Sequence, residues 1–247
     1  MARKLILPNK IKYKTKESAN PPEIDVVILA GGLGKRLRRA ISGKPKVLAE
    51  VAGRPFLDIL INHLLTAGFY RVILSIGYLK DQIKDRYKGK GIIFAEEEDP
   101  LGTGGGIKNA QQFIKSENFF VMNGDSWISD GIDMRAIHDF HKNKKALITM
   151  VLSRPREEKD YGAVFLGEDN RISRFNEKSK EENGHFLNAG IYIMNKKVLS
   201  KMKTTPFSLE VDFFPGLIGG AFYGFPINGE VIDIGTPERY KAAQQKF

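Results

Sequence analysis

The sequence predicts a three-layer α/β fold in which a mixed, mostly parallel sheet lies between helices. Three observations predict it. Continuous apolar, β-branched runs such as residues 24–30 (IDVVILA) fit parallel strands that are covered on both faces. Runs with helical spacing separate these strands at short intervals, which is typical of crossovers on both faces of one sheet. After Ser153 the pattern changes to strands separated by turns, which indicates an antiparallel or mixed insertion.

The predicted elements alternate along the chain. The first strand, residues 24–30, leads to a helix over residues 55–67 that Pro55 starts and Gly68 ends. Strands over residues 71–76, 92–95, 119–123 and 147–152 then alternate with helices over residues 80–87, 108–114 and 138–143. The insertion has predicted strands over residues 161–166, 171–175 and 186–194, followed by a short helix over residues 208–214 that Ser208 caps. A strand over residues 231–234 and a helix from Pro237 complete the order.

The composition is that of an ordinary soluble globular protein, with 42% hydrophobic and 28% charged residues in a chain of 247. No stretch approaches the roughly 18 unbroken apolar residues of a membrane span, so no membrane partner is expected. The N-terminus lacks the apolar segment of a secretory signal, and the lack of cysteine excludes disulfides, which together fit a cytoplasmic location. No repeat or linker interrupts residues 23–247, so we expect a single domain there.

The net charge of +10 is unevenly distributed. Half of it lies in the first twenty residues, which we interpret as part of a basic N-terminal extension over residues 1–22 that is flexible or contacts a partner. The remaining positive charge suits a small phosphorylated substrate better than a nucleic acid, so no nucleic-acid partner is expected.

A glycine-rich loop, residues 31–34 (GGLG), directly follows the first predicted strand. It is not a P-loop, because Leu29 stands where that motif needs its first glycine. It is not a dinucleotide fingerprint either, because Leu37 stands where a third small residue is needed. Glycines let the backbone approach an anion closely and point successive N–H groups at it, so the loop indicates a phosphate site.

Basic residues follow the loop and fit the same ligand. Arg36 can bind phosphate oxygens with two parallel hydrogen bonds, whereas Lys35 and Lys46 supply point charges. Pro45 fixes the backbone before Lys46 and an apolar run follows it, so we expect this lysine to be held in place. Taken alone, the stretch also fits a tight turn followed by a solvated basic helix.

Several motifs together resemble the sugar-1-phosphate nucleotidyltransferases, or nucleoside-diphosphate-sugar pyrophosphorylases. They are LAGGLGKRL, KPKVLAEVAGRPFLD, PLGTGGGIKNA, VMNGDSW, YGAV, FNEK, LNAGIYIM and VIDIGTPERY, and they extend from about residue 23 to the C-terminus. The short length, PLGTGG and FSLEVDFFP are most similar to the branch that makes GDP-D-glycero-D-manno-heptose. The resemblance implies a Rossmann-like fold of the nucleotide-diphospho-sugar transferase type.

The resemblance also implies a reaction and a set of site residues. A sugar 1-phosphate attacks the α-phosphorus of GTP and expels pyrophosphate, giving GDP-heptose for a surface polysaccharide (capsule or lipopolysaccharide) or another glycan precursor. The implied catalytic residues are Arg36, Lys46 and Lys178. The implied nucleotide-binding residues are Leu29, Ala30, Gly31, Gly32, Gly34, Lys35, Glu97, Gly102 and Thr103. The implied sugar-phosphate residues are Asn123, Gly124, Gly162, Glu177, Asn188 and Gly190. Asp125 and Asp233 are the implied ligands of Mg²⁺.

The positions of the two aspartates support a metal site independently. Asp125 and Asp233 each follow an apolar strand at its predicted carboxyl end, which is the edge where open α/β sheets bind ligands. Two carboxylates that meet there make an all-oxygen site that suits Mg²⁺ shared with phosphates. Either aspartate alone also fits a helix cap or a turn.

The resemblance implies that the acidic run before PLGTGGG lies where the family reads the nucleobase, and its carboxylates predict a preference for guanine. Glu97, with Glu96 next to it, is placed to read the nucleobase, and Gly102 and the glycines after Thr103 let the backbone lie against a flat ring. An ionised carboxylate only accepts hydrogen bonds, and guanine offers two adjacent donors, N1–H and N2–H₂. The run also fits a solvated acidic loop.

Other interpretations stay open at this point. The chain also fits a mannose-1-phosphate guanylyltransferase, or a uridylyl-, thymidylyl- or cytidylyltransferase that acts on another hexose 1-phosphate. It further fits a nucleotide-sugar-binding subunit without catalysis, and the dimers common in the family make a homodimer an expectation. His138 and His141 are predicted to lie on a helix surface, whereas Trp127 fits either the core or a lid over the sugar.

Overall fold

A nine-stranded mixed sheet forms the centre of the computed structural model, which describes residues 23–38, 40–41, 43–129, 132–154, 163–176, 186–204 and 206–246. The strands in chain order are β1 (Asp25–Leu29), β2 (Glu50–Val51), β3 (Arg54–Pro55), β4 (Arg71–Ile76), β5 (Ile93–Glu96), β6 (Asn118–Asn123), β7 (Ser126–Ile128), β8 (Ile148–Ser153), β9 (Ala163–Leu166), β10 (Ile172–Asn176), β11 (Phe186–Asn195), β12 (Phe222–Pro226) and β13 (Val231–Asp233). The α-helices are α1 (Phe56–Thr66), α2 (Lys80–Tyr87), α3 (Gly102–Ala110), α4 (Met134–Asn143) and α5 (Pro237–Ala243).

The first half of the chain builds a parallel sheet in the order β5–β4–β1–β6. Val27 of β1 lies between Ile73 of β4 and Val121 of β6 in this ladder. Alternate residues of β1 face opposite sides, and α1 and α2 cover one side while α3 covers the other. The three-layer, mostly parallel arrangement predicted from the sequence is therefore confirmed.

The second half of the chain adds antiparallel strands to this sheet. β11 pairs antiparallel with β6, with β8 and, at its start, with β9. The hairpin of β9 and β10 extends the sheet, and β12 runs parallel to β8. The mixed insertion expected after Ser153 is thus present, and β11 joins it to the parallel half.

Two small ladders complete the fold and shape the region above the sheet. β2 pairs with β3 before α1, and β13 pairs antiparallel with β7 so that Asp233 lies opposite Ser126. The N–H of Ile234 also donates to the carbonyl of Asp125, at 3.0 Å. These contacts bring the end of the chain next to the turn that follows β6.

The beginning of α3 differs from the prediction. A helix was expected from residue 108, but α3 begins at Gly102 and includes Gly104, Gly105 and Gly106. Glycine is a poor helix former, so the sequence pattern favoured a loop there. The helix forms because those glycines pack closely against neighbouring segments, which is described with the site below.

The position of His141 also differs from the prediction. His141 is 1% exposed on the inner face of α4, beside Ile137 and Met134, rather than on a surface. Its Nδ1 lies 3.0 Å from the hydroxyl of Thr149, which is itself buried. Burial lowers the pKa of His141 to about 4, and the nearby His138 acts in the same direction.

Two remaining predictions concern the basic N-terminal extension and the expectation that no segment spans a membrane. The basic N-terminal extension, residues 1–22, lies outside the described residues, so its character stays a prediction. Among the residues that are described, none of the helices has both the length and the apolar character that crossing a bilayer requires.

We expect the free energy of unfolding to fall less steeply between pH 6.5 and 4 in His141→Gln than in the wild type. The unfolded chain binds a proton at this position in that window and the folded chain does not, so stability falls as the pH falls. With a folded pKa of about 4, the loss attributable to this group is about 3 kcal/mol. The measurement is urea unfolding of both proteins at pH 7, 6 and 5.

Gln can keep the hydrogen bond to Thr149 without titrating, which separates proton binding from packing. The matched control is Lys142→Gln, an exposed neighbour on α4. Parallel pH profiles for wild type and His141→Gln would contradict the assignment.

Candidate functional site

A cleft of about 490 Å³ opens at the carboxyl ends of β1, β4 and β6. Its described lining includes most residues that the sequence pointed to: Leu29, Ala30, Gly31, Gly32, Gly34, Lys35, Arg36, Lys46, Glu97, Gly102, Thr103, Asn123 and Asp125. Leu33, Val47, Ser75, Pro100 and Gly235, for which no site role was predicted, also line it. The cleft lies at the sheet edge where ligands of open α/β folds bind.

The glycine loop connects the two ends of the cleft. A methyl group added at Gly31 would lie 3.2 Å from Glu97 Oε1, whereas one added at Gly34 would lie 3.2 Å from Lys46 Cβ. Gly34 has a φ of +58°, which favours glycine, and a turn containing the exposed Lys35 and Arg36 follows it. A methyl group at Gly32 would meet no atom within 4 Å, so the backbone there is open to a ligand.

Lys46 and Asp125 form an ion pair at one end of the cleft. Lys46 is on a helical turn, Lys46–Leu48, whose next two side chains are buried, and its own side chain is only 14% exposed. Burial raises the pKa of the Asp125 carboxyl, but the ammonium of Lys46 and hydrogen bonds outweigh it, so the net pKa is below the usual value. Asp125 is therefore ionised at neutral pH.

Asp233 lines a second cavity, two residues before Gly235 of the cleft. Its Oδ1 accepts from the N–H of Gly235 at 2.7 Å, and its Oδ2 lies 3.1 Å from Arg239 Nη1. A methyl group at Gly235 would lie 2.7 Å from Asp233 Oδ1, 3.5 Å from Lys46 Nζ and 3.8 Å from Arg36 Nη2. Gly235 is thus surrounded by Asp233, Lys46 and Arg36, although the cavity that Asp233 itself lines is the second one.

The donor set at this point fits a divalent cation that is shared with a substrate. Among the described residues there is no cluster of three or more side chains able to hold a metal ion without help. Mg²⁺ commonly takes one or two carboxylates and completes its shell with phosphate oxygens and water. Asp125 and Asp233 lie on neighbouring segments joined by the Ile234–Asp125 hydrogen bond, but they line different cavities, so only Asp125 is placed in the cleft as an oxygen ligand.

Glu97 lies at the opposite end of the cleft and is only 7% exposed. Its Oε1 accepts from the hydroxyl of Ser75 at 2.8 Å, and its Oε2 accepts from the N–H of Leu101 at 3.2 Å. Glu96 instead points outward and pairs with Lys84 at 2.7 Å. Of the two candidate base readers, the structure therefore places only Glu97 in the cleft, and the acidic run is not simply a solvated loop.

The glycines of α3 approach protein groups rather than open space. A methyl group at Gly104 would lie 2.0 Å from the ring of Phe207, and one at Gly106 would lie 2.8 Å from Glu97 Oε1. The expectation that the glycines after Thr103 lie against a nucleobase is wrong for Gly104, since the flat ring that it meets belongs to Phe207. Gly102 lines the cleft, with a φ of +74°.

The hydroxyl of Thr103 is used within the protein. It donates to Glu210 Oε2 at 2.7 Å and accepts from the N–H of Leu209 at 2.8 Å. Sequence reasoning missed the role of Glu210, although it lies in FSLEVDFFP, one of the segments that carried the family resemblance.

The predicted sugar-phosphate residues fall into three groups. Asn123 lines the cleft, and Gly124 lies beneath it, where a methyl group would be 2.7 Å from the carbonyl oxygen of Leu29. Gly190 lies against the side chain of Asn123, and Asn188 is hydrogen-bonded to Gly190. Gly162, Glu177 and Lys178 lie outside the described residues.

Gly190 has a φ of +70°, and a methyl group there would lie 2.6 Å from Asn123 Nδ2. Asn188 accepts from the N–H of Gly190 at 2.9 Å and donates to the hydroxyl of Tyr192 at 2.8 Å. Its side chain is thus committed to the protein in this structure, and it is not among the described residues that line either cavity.

The second cavity, of about 300 Å³, adjoins Asp233 on the side of the insertion. Its polar lining includes Ser153, Arg154, Asn228 and Arg239, which sequence reasoning did not find. Trp127 does not form a lid: it is 6% exposed and packs edge-on against His63 in the core.

Comparison with known proteins agrees with the motifs. The sequence matches the family described as nucleotidyl transferase over residues 25–246. It is 37% identical to the D-glycero-alpha-D-manno-heptose 1-phosphate guanylyltransferase of Aneurinibacillus thermoaerophilus, over 91% of this chain and 98% of that protein. It is 33% identical to the mannose-1-phosphate guanylyltransferase of Mycobacterium tuberculosis, over 88% of this chain but only 63% of that longer protein.

Solved structures show the same similarity. HddC from Yersinia pseudotuberculosis, also solved in complex with GMP-PN, superposes with a TM-score of 0.79 at 35% identity, covering 91% of this chain and 99% of HddC. A putative glucose-1-phosphate thymidylyltransferase from Bacillus anthracis superposes with a TM-score of 0.78 at 20% identity, covering 90% and 94%, which supports the fold alone. The motifs, the cleft and these comparisons establish that the chain belongs to the nucleotidyl transferase family.

Proposed function

We propose that this protein is a guanylyltransferase that joins GTP to D-glycero-α-D-manno-heptose 1-phosphate and releases GDP-heptose and pyrophosphate. The observation that carries the proposal is the single cleft in which the glycine loop, Arg36, Lys46 and Asp125 face the same space as the buried Glu97. The heptose relative supports the sugar, because the similarity extends over 98% of that protein.

The triphosphate is proposed to lie along the glycine loop. Gly32 leaves backbone N–H groups open to an anion, and Lys35 and Arg36 are exposed just beyond it. The base then extends toward Glu97, because Gly31 lies next to that carboxylate. One loop would in this way fix both ends of the nucleotide.

The reaction needs no nucleophilic side chain. A phosphate oxygen of the sugar 1-phosphate forms a bond to the α-phosphorus, and the bond from that phosphorus to the β-phosphate oxygen breaks. The protein has to hold two repelling anions together and stabilise the charge that develops on the α-phosphate. We assign this stabilisation to Lys46, with Arg36 on the leaving pyrophosphate and Lys178 on the sugar phosphate.

Asp125 and Asp233 are the residues that we propose to hold Mg²⁺. When bound, the ion supplies neutralisation of the crowded phosphate oxygens. Asp125 stays ionised because its pKa is lowered, and Asp233 is kept in place by Gly235 and Arg239. Asp125 is thus available as a charged oxygen ligand at neutral pH, and the side-chain oxygens of Asp233 are held in a defined position on the neighbouring segment of the fold.

The sugar is proposed to extend from the cleft past Asp233 into the second cavity. Arg154 and Asn228 line that cavity and offer hydrogen-bond donors to sugar hydroxyls, and Asn123 lines the cleft itself. A second candidate function is mannose-1-phosphate guanylyltransferase, favoured by relatives that are 33–35% identical. This chain spans about 62% of the length of the Candida glabrata enzyme of that name, so the heptose reaction has the stronger support.

The reaction is tested by pyrophosphate release from each of GTP, ATP, UTP, CTP and dTTP, with heptose, mannose and glucose 1-phosphates as acceptors. We expect the highest kcat/KM with GTP and the heptose 1-phosphate. Faster turnover of mannose 1-phosphate would favour the second candidate. Equal use of UTP or CTP would refute the guanine assignment.

Lys46→Ala is expected to lower kcat by about 100-fold or more, because the transition-state charge loses a preorganised cation. The fold should remain, since the site is at the sheet edge and not in the core. Steady-state rates and thermal melting separate the two effects. Lys88→Ala, at an exposed lysine after α2, is the matched control. A wild-type rate for Lys46→Ala would exclude Lys46 from the chemistry.

Glu97→Gln is expected to weaken GTP binding by about tenfold or more, because the neutral amide presents donors where guanine also presents donors. Binding of UTP should change little, since uracil does not have two adjacent donors. Calorimetric titration gives both affinities. Glu98→Gln, an exposed neighbour, should bind as wild type does. Equal losses for GTP and UTP would mean that Glu97 supports the cleft without reading the base.

A further inference from the structure

We infer that Glu210 is a positioning residue that sets nucleobase selectivity by holding the start of α3 in place. It acts through a short stretch, residues 207–210, which we call the clasp. The inference rests on the proposed function in one respect, which is that Glu97 reads guanine.

The clasp lies directly on the first turn of α3. The N–H of Phe207 donates to the carbonyl of Leu101 at 3.0 Å, and the carbonyl of Phe207 accepts from the N–H of Gly104 at 3.1 Å. The ring of Phe207 occupies the space of a side chain at Gly104, and its carbonyl oxygen would lie 2.5 Å from a methyl group at Gly102. The segment that lines the cleft is therefore in close contact with the clasp.

Glu210 stabilises this contact through the hydrogen bonds of its buried carboxylate. It is 9% exposed, and its Oε2 accepts from the hydroxyls of Thr103 at 2.7 Å and Ser208 at 2.8 Å. No described lysine or arginine forms a salt bridge with it. Burying a carboxylate costs free energy unless it is hydrogen-bonded. The arrangement therefore favours the conformation in which both hydroxyls donate to Glu210.

Leu101 carries the effect of the clasp to Glu97. Its carbonyl accepts from Phe207 and its N–H donates to Glu97 Oε2 at 3.2 Å. The clasp, the backbone of Leu101 and the base-reading carboxylate are thus connected by consecutive hydrogen bonds. A shift of the clasp would move the donor that orients Glu97.

Such a connection controls how well the cleft discriminates between nucleobases. Two parallel hydrogen bonds from guanine to one carboxylate require that carboxylate to be held within about 0.5 Å of the right position. Lys46 and Arg36, the cations at the phosphate end of the cleft, belong to segments other than the clasp and α3. Loosening the clasp should therefore reduce base discrimination more than overall nucleotide binding.

The test is calorimetric binding of GTP and ITP to the full chain without any sugar phosphate. ITP lacks only the 2-amino group, one of the two donors that Glu97 would accept. We expect wild type to prefer GTP by about tenfold or more, and Glu210→Met and Thr103→Val each to reduce this preference by about fivefold or more. Glu210→Gln keeps an acceptor for both hydroxyls and should retain most of the preference.

The ratio of two affinities measured on one sample does not depend on how much of that sample is folded. Glu117→Met, at an exposed glutamate before β6, is the matched control and should keep the wild-type ratio. Thermal melting reports the separate effect of each variant on stability.

An unchanged ratio in both Glu210→Met and Thr103→Val overturns the inference. A change in Thr103→Val alone also overturns it, because Thr103 would then act directly on the nucleotide. A wild type that binds GTP and ITP equally overturns it while leaving guanylyl transfer possible in the pyrophosphate assay. Conversely, a lack of pyrophosphate release together with the expected ratios would refute the proposed reaction and support the clasp.

Discussion

The ion pair between Lys46 and Asp125 is the interaction on which the arrangement of the cleft depends. It joins a turn that follows the glycine loop to the residue that follows β6, so two segments far apart in the chain meet over one sheet edge. Gly34 favours glycine because its φ is +58° and because a methyl group there would lie 3.2 Å from Lys46 Cβ. The pair thus fixes the loop, the cation and the carboxylate relative to one another before any ligand arrives. Such preorganisation is what electrostatic stabilisation of a phosphoryl transfer requires.

The cleft separates two kinds of recognition. At one end, cations and backbone amides face the place proposed for phosphates, and they carry no information about the base. At the other end, Glu97 is buried and held by Ser75 and Leu101, so its position is defined by the protein alone. The glycine loop contacts both ends, because Gly31 lies next to Glu97 and Gly34 lies next to Lys46. Affinity and selectivity are in this way assigned to different residues of one site.

Local patterns in the sequence predicted the parallel strands and the edge on which the site lies. Asp125 could be placed because it follows an apolar strand, and the loop at Gly31 because it follows β1. Features that depend on distant partners could not be placed in the same way. The early start of α3 requires Phe207, about a hundred residues away, to fill the space over Gly104. The burial of His141 and the use of the Thr103 hydroxyl by Glu210 likewise follow from tertiary contacts that periodicity does not encode. The roles given to Gly162, Glu177 and Lys178 stay predictions, because those residues are outside the described part of the chain.

β11 has a consequence for how this architecture can diversify. Its pairing with β8 changes register between Asn188 and Tyr192, and Gly190 between them adopts a left-handed conformation. One end of the strand therefore follows the insertion while the other end completes the parallel sheet next to β6. The break lies at Gly190, where an added methyl group would be 2.6 Å from Asn123 Nδ2 at the cleft. A change in the insertion that displaces this glycine would therefore also move Asn123, so the cleft constrains how the insertion can diversify.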